Sequence, residues 1–155
     1  YCFDPGETFT REEFLAMAME AAGVEPLSGV TVTGFFDNDA ISVWARGYVS
    51  AALMDGAVRG SKNEQGQAVF MAAEPITCAE AAVIIDRLLA MEDVKAEPTM
   101  AAPAWCAQAA ANLETVSVLP AGADLSAELT RSEGAQMLSS MLDVLQRREK
   151  KGWFK

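Results

Sequence analysis

The chain contains no histidine. That absence removes the imidazole general base, so Ser–His–Asp and Cys–His catalytic arrangements are excluded. It also removes the usual zinc patterns. Cysteine is scarce. Cys2, Cys78 and Cys106 lie far apart and spell neither a metal motif nor a disulfide framework. They read as small buried apolar residues, and the odd count leaves room for one free thiol. No P-loop and no G-x-G-x-x-G is present. Positive charge is also short: 12 Lys and Arg stand against 22 Asp and Glu, for a net charge of −10. This argues against a nucleic-acid backbone as partner. The many carboxylates are scattered and single out no acid–base pair. The Asp37–Asn38–Asp39 stretch lacks the further ligands of a calcium loop and reads as a turn or helix start. No enzyme activity, metal or cofactor is therefore expected. No apolar run approaches the length of a membrane span. The opening YCFDPGETF has neither a basic start nor an apolar h-region. Without an initiator Met, it reads as the start of a mature product or an excised piece.

What the chain does have is an apolar content of 51% over 155 residues, enough for one compact domain with a core. It also has an internal repeat. T-x-x-E occurs at Thr10–Glu13, Thr77–Glu80 and Thr130–Glu133, each directly before an apolar-periodic run. The first run is Phe14, Leu15, Ala18, Met19 and Ala22. The second is Ala81, Ile84, Ile85, Leu88 and Leu89. The third is Ala135, Leu138, Met141, Leu142 and Leu145. These spacings are the stripe of a helix with one buried face. T-x-x-E before such a stripe predicts a capping box, in which Thr accepts from the third helical N–H and Glu reaches back to the cap N–H. Phe9, Ile76 and Leu129 stand just before the caps, where a hydrophobic staple starts, and only Phe9 has a bulky partner, Phe14. The caps thus need no functional explanation. The first helical position is different: Arg11, Cys78 and Arg131. A cation there opposes the helix dipole, so two arginines at that place hint at an anion.

A second shared element precedes two of the caps. WARGYVSAALMDGAV starts at Trp44 and WCAQAAANLETVSVL at Trp105. Both read as helices. Gly56 has the character of a left-handed helix stop, and Ser117 stands at its place in the later copy. The loop after the first copy, GSKNEQGQAVFMAAE, is long enough for a short hairpin; the later loop, PAGADLSAE, is shorter. The unit is therefore a Trp-helix, a loop and a capped helix. The chain divides into the back part of one unit (1–24), two full units (31–93 and 97–148), and a basic tail (149–155) expected to be a solvated end. The expected fold is all-α: about six helices in helix–loop–helix repeats, with little or no sheet.

The ordered set Phe-x-Asp, W-A, apolar helix to Gly, and a loop ending in an apolar residue plus T-R-x-E resembles the S-layer homology (SLH) family. FFDNDAISVWARGYVSAALMDGAV with PITCAEAAVIIDRLL looks like one repeat. PAWCAQAAANLETVSVLP with LTRSEGAQMLSSML looks like another, and YCFDPGETFTREEFLAMAMEAAG like the back half of a third. The resemblance implies a pseudo-threefold helical bundle, the three-pronged spindle. It implies a secreted, cell-surface protein held non-covalently on a secondary polysaccharide of a Gram-positive type wall, an anionic glycan often carrying a pyruvyl ketal. Arg11 and Arg131 would contact the anion, Trp44 and Trp105 would shape groove walls, and Gly56 and Gly60 would lie near the sugar. The pattern is broken at Cys78, at Ser117 and in the third unit's short loop. A degenerate array serving as a protein–protein or assembly module is therefore the alternative. Core packing competes with binding as the role of both Trp residues. Surface pairing with Glu12 or Glu133 competes for the two arginines.

Overall fold

The computed structural model describes residues 4–153, except for the side chain of Trp153; Cys2 lies outside the described residues. The fold is predominantly helical. Among the described residues five α-helices run in chain order: α1 (Arg11–Ala21), α2 (Arg46–Met54), α3 (Cys78–Leu89), α4 (Ala104–Thr115) and α5 (Arg131–Trp153). Two 3-10 turns, Asn38–Ala40 and Val43–Ala45, lead into α2. The long loop after α2 does form a hairpin. Its strands β1 (Ser61–Lys62) and β2 (Ala68–Val69) pair antiparallel, Ser61 opposite Val69 and Lys62 opposite Ala68.

All three predicted caps form, with one difference. Thr77 accepts from Glu80 N–H while Glu80 accepts from Thr77 N–H, both at 3.3 Å. Thr130 and Glu133 make the same pair of bonds at 3.1 and 3.3 Å. At α1 only half of the box is made. Thr10 accepts from Glu13 N–H at 3.3 Å, but the Glu13 carboxylate takes the Thr10 hydroxyl at 2.8 Å instead of the backbone. Its other oxygen is engaged elsewhere, as described below. The Phe9–Phe14 staple is present as an edge-on ring pair with centroids 5.8 Å apart.

The residues before the caps do more than staple. Ile76 N–H donates to Phe9 O at 2.9 Å, Phe9 N–H to Leu129 O at 3.1 Å, and Leu129 N–H to Ile76 O at 2.8 Å. This is a closed ring of three bonds. A second ring surrounds it: Arg11 N–H donates to Glu74 O at 2.9 Å, Cys78 N–H to Ala127 O at 2.9 Å, and Arg131 N–H to Glu7 O at 2.7 Å. Each acceptor lies three residues before its own cap Thr. The first N–H groups of a helix have no partner within it, so every capped helix here is completed by the neighbouring cap segment. Phe9, Ile76 and Leu129 are all buried, which places the ring at the centre of the core.

Helix ends follow one rule. After α2, Gly56 is left-handed (φ 76°); its N–H donates to Leu53 O at 3.3 Å and Ala57 N–H to Ala52 O at 2.9 Å. This is a Schellman stop. Ser117 occupies the same conformation after α4 (φ 60°), with Ser117 N–H to Glu114 O at 3.1 Å and Val118 N–H to Leu113 O at 2.9 Å. The two stops share one geometry with different residues.

The two full helix pairs are tied by polar contacts as well as apolar ones. Asn112 of α4 is fully buried and saturates its amide: it accepts from Val94 N–H and Gln108 Nε2, and donates to Asp86 at 2.9 Å and Asp93 at 3.2 Å. A buried amide left unpaired costs about 1–3 kcal/mol, so such a network fixes the α3–α4 orientation. α5 continues into the basic tail as far as Trp153, and residues 149–152 are exposed, as a solvated end would be. Just before the tail, Arg148 Nη1 donates to Leu89 O, the last residue of α3, at 2.5 Å. A cation on a terminal carbonyl is favourable at that end of a helix dipole.

Candidate functional site

The first helical residues stand where cap segments meet. Arg11 leaves its own helix and crosses to the next segment. Its Nε donates to Phe70 O at 2.8 Å, its guanidinium lies 5.4 Å from the Phe70 ring centroid, and it pairs with Glu80. Arg131 does the same one step round the ring. It pairs with Glu13, approaches Glu7 at 3.9 Å, and sits 5.1 Å from the Phe9 ring centroid. Neither partner is Glu12 or Glu133. Both are the capping-box glutamates of another helix. The hint of an external anion at this position thus has an internal answer: the two arginines link cap segments. Burial disfavours the Arg11 charge, an effect that nearby Asp37 opposes.

Cys78 stands at the third such position and is buried. Burial first, and Glu133 next, push its thiol up to about 11. By the pattern of the other two, Glu133 is the carboxylate an arginine here would meet.

Two grooves open beside these positions. The larger, about 1110 Å³, is lined by Arg11, Arg59, Gly60, Glu80, Arg87 and Trp105 among others. The smaller, about 630 Å³, borders Cys78, Ser117, Asp124, Glu133 and Gln136. Three of the six residues expected around a ligand, Arg11, Gly60 and Trp105, therefore meet in the larger groove. Arg131, Trp44 and Gly56 line neither of them.

Both tryptophans are on the surface: Trp44 is 54% exposed and Trp105 60%. Core packing does not account for either. Trp105 is the second residue of α4 and lines the larger groove, whereas Trp44 lies in the 3-10 turn before α2. The glycines are explained by backbone. Gly56 is the helix stop described above and has open space around it. Gly60 is left-handed (φ 72°), and a β-carbon there would sit 2.4 Å from Phe35 Cε1 and 2.7 Å from Val69 O. Only glycine fits, and its bareness also keeps that stretch of groove wall low.

Several contributors were not read from the sequence. Asp37 does stand at the start of the 3-10 turn Asn38–Ala40, with Ala40 N–H donating to its carbonyl at 2.9 Å, and its carboxylate also accepts from the N–H groups of Phe70 at 2.9 Å and Met71 at 2.8 Å, which pins the hairpin exit. Glu12, buried on α1, accepts from Ser42 N–H at 2.9 Å and from its hydroxyl at 2.5 Å. Arg59 and Arg87 add two further cations to the larger groove. Arg87 carried a signal: Glu80, Ile84 and Arg87 recur at helical spacing and share one face of α3. Arg59 carried none. Among the described residues no group of His, Cys, Asp and Glu is arranged to hold a metal ion, and no helix is long and apolar enough to cross a membrane.

Compared with protein-family models and with curated proteins, the chain matches none.

Proposed function

We propose that the chain is an SLH-type array, a pseudo-threefold bundle that anchors a secreted bacterial protein at the cell surface. It does so without catalysis, by binding an anionic secondary polysaccharide of a Gram-positive type wall. The observation that carries this reading is the larger groove, which gathers three arginines and an exposed tryptophan in a protein of net charge −10. Guanidinium groups take carboxylates through a planar fork, and an exposed indole face offers a flat apolar surface to a sugar ring. The cyclic bonding of the three cap segments supports the threefold arrangement that the resemblance implies.

A second reading has its own observation. Arg11 and Arg131 are both engaged by glutamates, and the groove at Cys78 has no arginine in its wall. A degenerate array that serves assembly and binds no glycan would look the same at these positions. Co-sedimentation with wall sacculi, intact or stripped of secondary polymer by acid, decides between them. Binding that is lost on stripping supports the anchor. Absence of binding to intact sacculi from the source organism overturns it in favour of the assembly module.

A further inference from the structure

The charge in the larger groove is unevenly committed. Arg11 is held by Glu80 and by Phe70 O. Among the described residues, ion pairs engage Arg11 and Arg131 and leave Arg59 and Arg87 without a carboxylate partner. Arg87 donates one bond, to Ala57 O at 3.2 Å. Arg59 is exposed. The two cations are near enough to affect each other: burial and then the charge of Arg59 lower the pKa of Arg87, while neighbouring Asp86 raises it. Asp86 is itself taken up by the Asn112 amide. The carboxylates in the groove wall itself are Glu80, committed to Arg11 and to its cap, and Asp124, which accepts from Ser126. Two like charges are thus held together with their available anions turned to other partners. Trp105 stands exposed in the same groove.

From this geometry we infer that Arg59 and Arg87 are the seat for the anionic substituent of an acidic sugar, with Trp105 beside the ring, and that Arg11 is a structural linker. The inference rests on the glycan reading above and moves its anion contact to a different pair of residues. An oxyanion shared by two guanidiniums relieves their mutual repulsion and replaces water at both. A ligand seated only at Arg11 would have to displace Glu80 first. The substituent can be a carboxylate or a phosphate, since the two arginine forks serve both.

The test uses the whole chain. Glucuronate, glucose 6-phosphate and glucose are titrated while the arginine Nε–H and tryptophan indole NMR signals are followed. Both acidic sugars, or one of them, should move Arg59, Arg87 and Trp105 saturably, and glucose should not. Which acidic sugar binds identifies the substituent. In Arg59→Gln/Arg87→Gln affinity should fall at least tenfold, with the folded spectrum retained. Acidic sugars that leave Arg59 and Arg87 unmoved, or that bind the double variant as well as the parent, overturn the seat. Sedimentation with sacculi is run on the same two proteins. Equal sedimentation of both would leave the anchor standing and remove the seat. Saturable binding of acidic sugar at Arg59 and Arg87 without sedimentation would keep the seat and remove the anchor.

Discussion

Arg131 of α5 pairs with Glu13 of α1 across 118 residues of chain. The pair joins the last cap segment to the first and closes the ring that the backbone bonds outline. Both side chains are partly buried, at 22% and 30% exposure, and Arg131 also lies over Phe9. Exposed pairs contribute little, but contacting groups in a shared network couple by about 0.5–3 kcal/mol. A double-mutant cycle of Arg131→Gln and Glu13→Gln, read by urea unfolding, should give a coupling of about 1–2 kcal/mol within that range. Additive single effects would mean that the pair does not help to close the ring. The same contact limits what an arginine deletion can reveal about a ligand: loss of glycan binding in Arg11→Ala or Arg131→Ala would mix binding with damage to the join.

Ser117 and Gly56 adopt the same left-handed stop with different side chains. A residue with a β-carbon is held there at a cost of about 1–2 kcal/mol, which glycine avoids. Part of that gain is returned through the freer unfolded chain. Ser117→Gly should therefore stabilise by about 0.5–1 kcal/mol, and Gly56→Ala should destabilise by a similar amount or more. Opposite signs at the two sites, measured as shifts in unfolding midpoint, are the expected result. A destabilised Ser117→Gly would mean that the hydroxyl has a role not seen in its bonding.

Gly134 stands at the fourth position of α5, where a staple partner for Leu129 would sit, and its emptiness has a cause. A β-carbon there would fall 2.4 and 2.5 Å from the ring of Phe9. The ring comes from the first cap segment, so Phe9 fills the place that a local staple would have taken. Helix propensity alone favours Gly134→Ala by about 1 kcal/mol. Overpacking against a buried ring costs about 1–3 kcal/mol and should win, leaving the variant less stable. The loss should shrink in a Phe9→Leu background, where the collision is removed. Stabilisation by Gly134→Ala would show that the ring has room to move.

The two kinds of contact explain what was legible in the sequence. A capping box joins residues three apart and a helix stripe residues three or four apart, so Thr77, Glu80 and the runs behind them announced the helices directly. The hairpin was legible for the same reason. The pairing of Arg11 with Phe70 and of Arg131 with Glu13 joins residues 59 and 118 apart, and no local pattern encodes it. Asp37 and Glu12 were opaque likewise, because their partners sit in other segments. The arginines read as surplus charge for want of those partners. The groove was half legible: Trp105 and Arg11 belonged to a recurring pattern, whereas Arg59 lies in a loop with no spacing to mark it.

The Cys78 thiol should be slow to react. Its pKa is pushed up to about 11, chiefly by burial, and the thiolate is the reactive form. Alkylation of the folded chain by iodoacetamide, followed by mass spectrometry of the Cys78 peptide, should rise with pH about a midpoint near 11. The unfolded chain should titrate near the ordinary value of 9.0. Because the folded value is the higher one, this group's contribution to stability is full below about 9 and is lost as pH rises through about 11. Rapid labelling at pH 7 under native conditions would contradict the burial of this residue.

If the links between cap segments are set by geometry, the missing one can be restored. Arg11 meets Glu80, and Arg131 meets Glu13. Cys78 occupies the matching place, Glu133 is the matching carboxylate, and a groove of about 630 Å³ borders both. An arginine side chain thus has both a partner and space. Cys78→Arg should fold, and a cycle with Glu133→Gln should show a favourable coupling of about 0.5–1 kcal/mol, the upper range for a pair at a wet groove. The arginine also brings a cation to the positive end of α3, which costs about 0.3–1 kcal/mol, so net stability should change little while the coupling appears. Stability alone is therefore the wrong readout, and the cycle is the informative one. Zero coupling would mean that the pairing of Arg11 and Arg131 depends on the aromatic rings beneath them, Phe70 and Phe9, more than on the carboxylates they face.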